Sequence, residues 1–191
     1  MTSSFEDFKR QCDVLISEGL IANYDEMYIQ KYVSGVLAYL QYFFSPLTDT
    51  LEFFGADRRL ESDIEGLSRI PAKQQHTDMM SSFNVIGNTP MVLRESLLQE
   101  VYDMGERFVD TAKMLVSPGM NGPFCIEGVY DADATFYSFE FSARIVAGTN
   151  IYMEGSPYTT LMYDFPMSMG RRIALEVKNA SNSNKLNLIT T

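Results

Sequence analysis

The run FCIEGVYDADATFYSFEFSARI, residues 124–145, constrains the fold more than any other stretch. Its two halves alternate polar and apolar side chains about a DADA turn, which is the pattern of a β-hairpin with one greasy face. Side chains at every second position of a strand share a face. Glu140, Ser142 and Arg144 therefore line one side of the second strand, and Phe139, Phe141, Ala143 and Ile145 the other. Setting Glu127 across from Glu140 places Cys125 opposite Ser142 on the polar side, and Ile126 opposite Phe141 and Phe124 opposite Ala143 on the apolar side. A slip of one residue mixes the faces, and register is strongly specified wherever one face is buried, so the sorted register is expected. That register opposes two carboxylates with Cβ atoms roughly 5 Å apart, a like-charge pair that destabilises a sheet unless something neutralises it. A divalent cation meets the need. Hard cations take oxygen ligands, and Mg²⁺ typically combines one or two carboxylates with substrate phosphates. Arg144 on the same face would hold a phosphoryl oxygen through its fork of donors. The competing reading is a solvated face with scattered charges, and the pattern alone leaves both open.

The rest of the chain builds an α+β domain with a largely antiparallel sheet and packed helices around this hairpin. SSFEDFKRQCDVLISEGLI puts Phe5, Phe8, Cys12, Leu15 and Ile16 near one stripe, after a cap at Ser3 or Ser4 and before Gly19, so a first helix is expected there. MYIQKYVSGVLAYLQYFFS and LEFFGADRR read as two long strands joined by a short loop. From Leu60 to Phe83 the chain turns polar, and a long loop is expected. Met91 to Val116 carries helical spacing with Pro90 in its first turn, and Met167 to Ala180 reads as a last helix before a polar tail. With no repeat and no linker, residues 1–191 are expected to form a single domain.

Composition removes several function classes. A formal net charge of -10 lacks the basic footprint that nucleic acid or an anionic membrane requires. Two cysteines, Cys12 and Cys125, far apart and in no CxxC spacing, argue against a disulfide framework or a zinc site and fit a reducing cytoplasm. No window approaches the roughly 18 apolar residues of a membrane span. His76 is the one histidine, so a two-histidine metal site is excluded, and its polar surroundings read as surface. Neither GxxxxGK[ST] nor GxGxxG occurs, so a nucleotide site would have to be built otherwise.

The runs GPFCIEGVYDADATFYSFEFSARIVAGTN, GSPY and PMSMGRRIALEVKNA resemble the C-terminal half of the archaeal ATP-grasp ligases of purine biosynthesis, which formylate aminoimidazole carboxamide ribonucleotide with formate and ATP. YVSGVLAYLQYFFSPL, GADRRLESDIEGLSRIPAKQQ, VIGNTPMVLRESLL and VYDMGERFV are similar to the same family, in the same order, over nearly all of the chain. The resemblance implies ATP and Mg²⁺ as cofactors, with ATP, formate and the imidazole nucleotide as small-molecule partners. It implies that Glu140, Ser142 and Arg144 stand where ATP-grasp enzymes carry a Glu-x-Asn-x-Arg pattern, with Glu140 a metal ligand and Arg144 beside the transferred phosphate. Serine departs from the general pattern there. Glu127 is the expected second metal carboxylate, and Cys125 a weaker candidate that reads as packing. Gln30, Lys31, Tyr32 and Val33 would form the adenine-binding edge, Arg58 and Arg59 would bind phosphate with Arg69 and Lys73 nearby, and Asn150, Ser156 and Tyr158 would contact the imidazole nucleotide. Leu37 stands where the family is expected to carry a polar residue, and Arg171 and Arg172 read as solvated.

An ATP-grasp ligase also needs an N-terminal α/β domain and a lysine-bearing subdomain, for which 191 residues leave no room. The expectation is therefore a C-terminal portion that binds nucleotide weakly or not at all alone and works with a missing N-terminal half. With 13% aromatic residues and 12 methionines, a homo-oligomer is also expected. Two rival readings stay open: a ligase of the same fold with another substrate, and a non-catalytic binding or oligomerisation module.

Overall fold

The computed structural model describes residues 4–62, 67–69, 71, 73 and 84–190. His76 and most of the polar loop before Phe83 lie outside the described residues. The chain groups into two compact units, Met1–Ser34 and Gly35–Thr191, where the sequence predicts one. The reason is local: between Leu20 and Gly35 the chain forms only the single 3₁₀ turn Tyr24–Glu26.

The first unit is built on α1, Phe5–Ser17. Ser4 caps it by accepting from the Asp7 amide at 3.1 Å, and Gly19 follows with a φ of 70° that favours glycine. Cys12, on the buried stripe, sets its Sγ 3.2 Å from Met27 Sδ.

The second unit is an antiparallel sheet in the order β3-β2-β1-β4-β5. Its strands are β1 (Val36–Ser45), β2 (Thr50–Glu61), β3 (Val85–Met91), β4 (Gly122–Tyr130) and β5 (Phe136–Ser142). The expected strand starting at Met27 begins only at Val36. At the centre, β1 is buried on both faces from Ala38 to Ser45, which accounts for its unbroken apolar run. One face, carrying Ala38, Leu40, Tyr42, Phe53, Phe124 and Ile126, packs against α2, Leu98–Leu115. Gly105 lets this helix approach closely, since a Cβ there would lie 2.7 Å from Leu51 Cδ2 and 2.8 Å from Tyr42 Cε1. The helix α3, Met169–Asn182, follows a cap at Ser168 and packs Met169 and Ile173 with Phe43 and Phe54 on the opposite face. No described helix is long and apolar enough to cross a membrane.

Two boundaries differ from the sequence reading. VIGNTPM, expected to lead into a helix, is β3, and Pro90 pairs with Asp57 instead of opening the helix. Proline has no N–H for a ladder, and β3 tolerates it as a sheet edge. The second strand of the hairpin stops at Ser142, so Ala143 and Arg144 lie in a bend beyond it.

Candidate functional site

Antiparallel pairing sets a row of side chains across the sheet. Pro90 of β3 faces Asp57 of β2, Asp57 faces Tyr39 of β1, Tyr39 faces Glu127 of β4, and Glu127 faces Glu140 of β5. The next row on that face runs Gly55, Gln41, Cys125 and Ser142. The hairpin register is the sorted one expected from the sequence, with Cys125 against Ser142 and Ile126 against Phe141. A bulge falls between Glu127 and Gly128, immediately beside the paired carboxylates, a common position for re-aiming side chains near a site.

Glu127 is buried, 1% exposed, while Glu140 is exposed. Ser142 Oγ donates to Glu127 Oε1 at 3.0 Å, and Arg59 Nη2 lies 3.3 and 3.4 Å from the two carboxylate oxygens. Arg59 thus offsets one charge of the opposed pair, through Glu127. Its guanidinium rests 3.9 Å from the centroid of the Tyr39 ring. Burial pushes the Tyr39 phenol up to about 12 although Arg59 opposes it, so the ring stays neutral.

Beside this pair lies a cluster the sequence reading missed. Asp57, 1% exposed, accepts from Gln41 Nε2 at 2.5 Å and from Asn88 Nδ2 at 2.7 Å. Gly148 is packed against its carboxylate, since a Cβ there would fall 2.1 Å from Asp57 Oδ1. Burial raises the Asp57 pKa, against the hydrogen bonds from Gln41 and Asn88 and the charge of Arg59. The period-2 placement of Asp57 and Arg59 on one face of LEFFGADRR was the signal available for it. An acid with a raised folded pKa contributes stability below its unfolded pKa, and that contribution is lost as pH rises through the folded value. Asp57→Asn removes that loss, and a flip of the Gln41 amide would turn its unpartnered, buried Oε1 toward the new amide nitrogen. Thermal melts of the variant should therefore match wild type in acid and exceed it, by about 1 kcal/mol of stability, above the folded-state pKa. A variant less stable than wild type at neutral pH and no better in acid would contradict this account of Asp57.

The other expected residues distribute as follows. Arg58 alternates to the α2 side of β2, away from Glu127, and is exposed. Arg144, exposed, donates from Nη1 to the Ile145 carbonyl at 2.8 Å, and its charge still acts on the Cys125 thiol, which burial drives far up. Cys125 packs with Tyr39 and Val146, and Leu37 joins that apolar group. Asn150 is exposed on the 3₁₀ segment Ala147–Tyr152 that carries Gly148. Ser156 and Tyr158 are buried: Ser156 Oγ accepts from the Tyr158 and Thr159 amides at 3.2 Å, and Tyr158 Oη accepts from the Leu93 amide at 2.8 Å. Gln30, Lys31, Tyr32 and Val33 belong to no helix or strand, and the first three are exposed. Arg69 and Lys73 are exposed as well.

A family profile described as "Domain of unknown function (DUF1297)" matches residues 7–191. The chain belongs to the DUF1297 family. This DUF1297 chain is 61% identical, over its whole length, to the 5-formaminoimidazole-4-carboxamide-1-(beta)-D-ribofuranosyl 5'-monophosphate synthetase of Nitrosopumilus maritimus, of which it covers 56%. The synthetase of Methanobrevibacter smithii is 45% identical over the whole chain, which covers 53% of it. A crystal structure of an IMP biosynthesis protein, PurP, from Thermococcus kodakaraensis superposes with a TM-score of 0.71 at 34% identity, covering 84% of this chain and 51% of that one. The chain thus spans about half the length of the curated relatives it matches, and the resemblance to the C-terminal half of these synthetases holds. The DUF1297 fold is α+β with a five-stranded antiparallel sheet, as expected.

Among the described residues no cluster of three or more His, Cys, Asp or Glu forms a complete metal cage. Glu127 and Glu140 nonetheless fit a hard divalent cation that takes its remaining ligands from phosphates and water. The Arg59 contact to Glu127 is longer than the 2.7–2.9 Å usual for a charge-assisted bond, so both carboxylate oxygens keep capacity for a closer partner.

Proposed function

We propose that this DUF1297 chain is the C-terminal catalytic part of an ATP-grasp ligase that uses ATP and formate to formylate aminoimidazole carboxamide ribonucleotide in purine biosynthesis, in the cytoplasm. The carrying observation is the register that sets buried Glu127 opposite exposed Glu140, with Ser142 and Arg59 on the buried carboxylate. The names of the synthetase relatives and of the purine-biosynthesis structure support the same chemistry.

The reaction transfers the γ-phosphoryl group of ATP to a formate oxygen, giving formyl phosphate. The amine of the imidazole nucleotide then forms a C–N bond to the formyl carbon as the C–O bond to phosphate breaks. Such transfers require positioning and charge stabilisation more than covalent protein chemistry, which suits a site without a nucleophile motif. Glu127 and Glu140 would hold Mg²⁺, which supplies neutralisation of charge on the phosphates. Ser142 orients Glu127 by its hydrogen bond. Arg144 offers the phosphoryl group its guanidinium from the bend after β5, and Arg59 meets phosphate from the far side of Tyr39. Asn150, on the segment packed over Asp57, is a proposed contact to the imidazole nucleotide, whereas Arg58, on the opposite face of β2, is left out of this site. Ser156 and Tyr158 shape that loop from within. Gln30, Lys31, Tyr32 and Val33 would present backbone groups to adenine. Exposed Phe141, Leu161 and Phe165 support self-association or pairing with an N-terminal half.

Calorimetric titration with Mg²⁺ and a nonhydrolysable ATP analogue tests the reading, run on this chain alone and then with the N-terminal half of a related synthetase. Binding of the ATP analogue that develops only in the mixture and disappears in Glu140→Gln is the expected result, whereas the cation alone can bind the isolated chain. Two folded, paired halves that bind neither ligand would replace the reading with a non-catalytic module.

A further inference from the structure

We infer that Arg59 is an exchangeable counter-ion: it occupies the Glu127 carboxylate in the absence of a divalent cation and surrenders it when a cation binds, which frees the guanidinium for a phosphate oxygen. The inference rests on the reading of Glu127 and Glu140 as cation ligands. Its physical basis is the contrast between two arginines of this chain.

Arg172 is a locked partner. Its side chain is 5% exposed, Nε lies 2.8 Å from Glu52 Oε1 and Nη1 lies 2.7 Å from Glu176 Oε2. Arg59 is a loose one, with a side chain 25% exposed and contacts of 3.3 and 3.4 Å from one nitrogen to both Glu127 oxygens. It reaches Glu127 across an intervening strand by lying on the Tyr39 ring, whose face holds a guanidinium without prescribing one hydrogen-bond direction. Departure of Arg59 does not disorder Glu127, because Ser142 Oγ holds the carboxylate independently at 3.0 Å. Glu127 is buried, so a cation reaches it by way of the exposed Glu140.

Charge arithmetic gives the exchange a direction. Glu127, Glu140 and Arg59 sum to -1, so one carboxylate charge is left for a cation to meet. When a divalent cation balances both carboxylates, the Arg59 charge is uncompensated. Of the other carboxylates near Tyr39, Asp57 is engaged by Gln41 and Asn88, and Glu61 lies at the end of β2. An anionic phosphate oxygen then becomes the best partner for Arg59, through the donor fork that suits it. Cation binding and phosphate binding are thereby coupled through one side chain.

The test uses Mn²⁺ as probe, counted by electron paramagnetic resonance on the full 191-residue chain without nucleotide. Arg59→Gln removes the competitor and should tighten Mn²⁺ about tenfold, the size of one hydrogen-bonded charge contact. The double variant with Glu127→Gln should lose that gain. In the wild-type chain, saturating Mg²⁺ should move the Arg59 Nε resonance in a ¹⁵N spectrum, a readout that holds even where the variant fails to fold. Equal Mn²⁺ affinity in wild type and Arg59→Gln, with loss in Glu127→Gln, would overturn the exchange and leave the cation site standing. Mn²⁺ binding that ignores Glu127→Gln, or no binding in any form, would overturn both, as would an Arg59 resonance that stays still while Mg²⁺ binds.

Discussion

Arg172→Ala should lower the stability of the chain by about 3–5 kcal/mol, the usual result of removing one member of a buried ion network. The side chain lies between Glu52 and Glu176, with Nε 2.8 and 3.1 Å from the two Glu52 oxygens and Nη1 2.7 Å from Glu176. Its guanidinium also stacks 4.1 Å from the Phe43 ring centroid. Ser45 Oγ donates to Glu176 at 2.6 Å and Tyr163 Oη to Glu52 at 2.6 Å, so each carboxylate is held by a second donor that cannot neutralise it. Truncation leaves two buried carboxylates without a counter-charge and removes the ion pair that ties α3 to Glu52 of β2 and the stacking on Phe43 of β1. Against a typical total of 5–15 kcal/mol, such a loss brings the fold near its limit. Arg172→Lys keeps the charge but loses the fork and should cost less. Urea denaturation measures both, and a loss below about 1 kcal/mol for Arg172→Ala would show that the network contributes little.

Glu140→Gln should lower turnover of an assembled, two-half enzyme by at least about 10²–10³-fold, the range seen when one group stabilising transition-state charge is removed. The same change should leave stability within about 0.5 kcal/mol, because Glu140 is exposed and its removal relieves the repulsion with Glu127. That separation makes Glu140 the cleaner probe of the two carboxylates. Glu127→Gln would alter catalysis and at the same time leave Arg59 without its counter-charge and turn one of the two acceptor oxygens into a donor. Near-normal turnover in Glu140→Gln would remove Glu140 from the metal site.

The hairpin register was legible because its apolar and polar residues alternate, so only one pairing sets Ile126 and Phe141 on the same apolar face. The strands β1 and β2 were legible from their long apolar, β-branched and aromatic runs, and the helices α1 and α3 from their apolar stripes. The strand β3 was not, since VIGNTPM is short, holds a glycine and a proline, and owes its conformation to pairing with β2. The end of β5 at Ser142 was also hidden, because the alternation continues through Arg144 after the ladder has stopped.

Local pattern by itself determined the α+β class and the face that carries Glu127, Glu140 and Ser142. Tertiary structure alone decided what those groups touch. Arg58 and Arg59 are adjacent basic residues in the sequence, yet strand alternation sends one away from Glu127 and the other across Tyr39 onto it. Arg171 and Arg172 are equally alike, and helix phase exposes one while it buries the other between Glu52 and Glu176. Asp57, Gln41, Asn88 and Gly148 converge from four separate segments. Periodicity reports which face a side chain occupies, whereas its partner is set by long-range pairing that no local window contains.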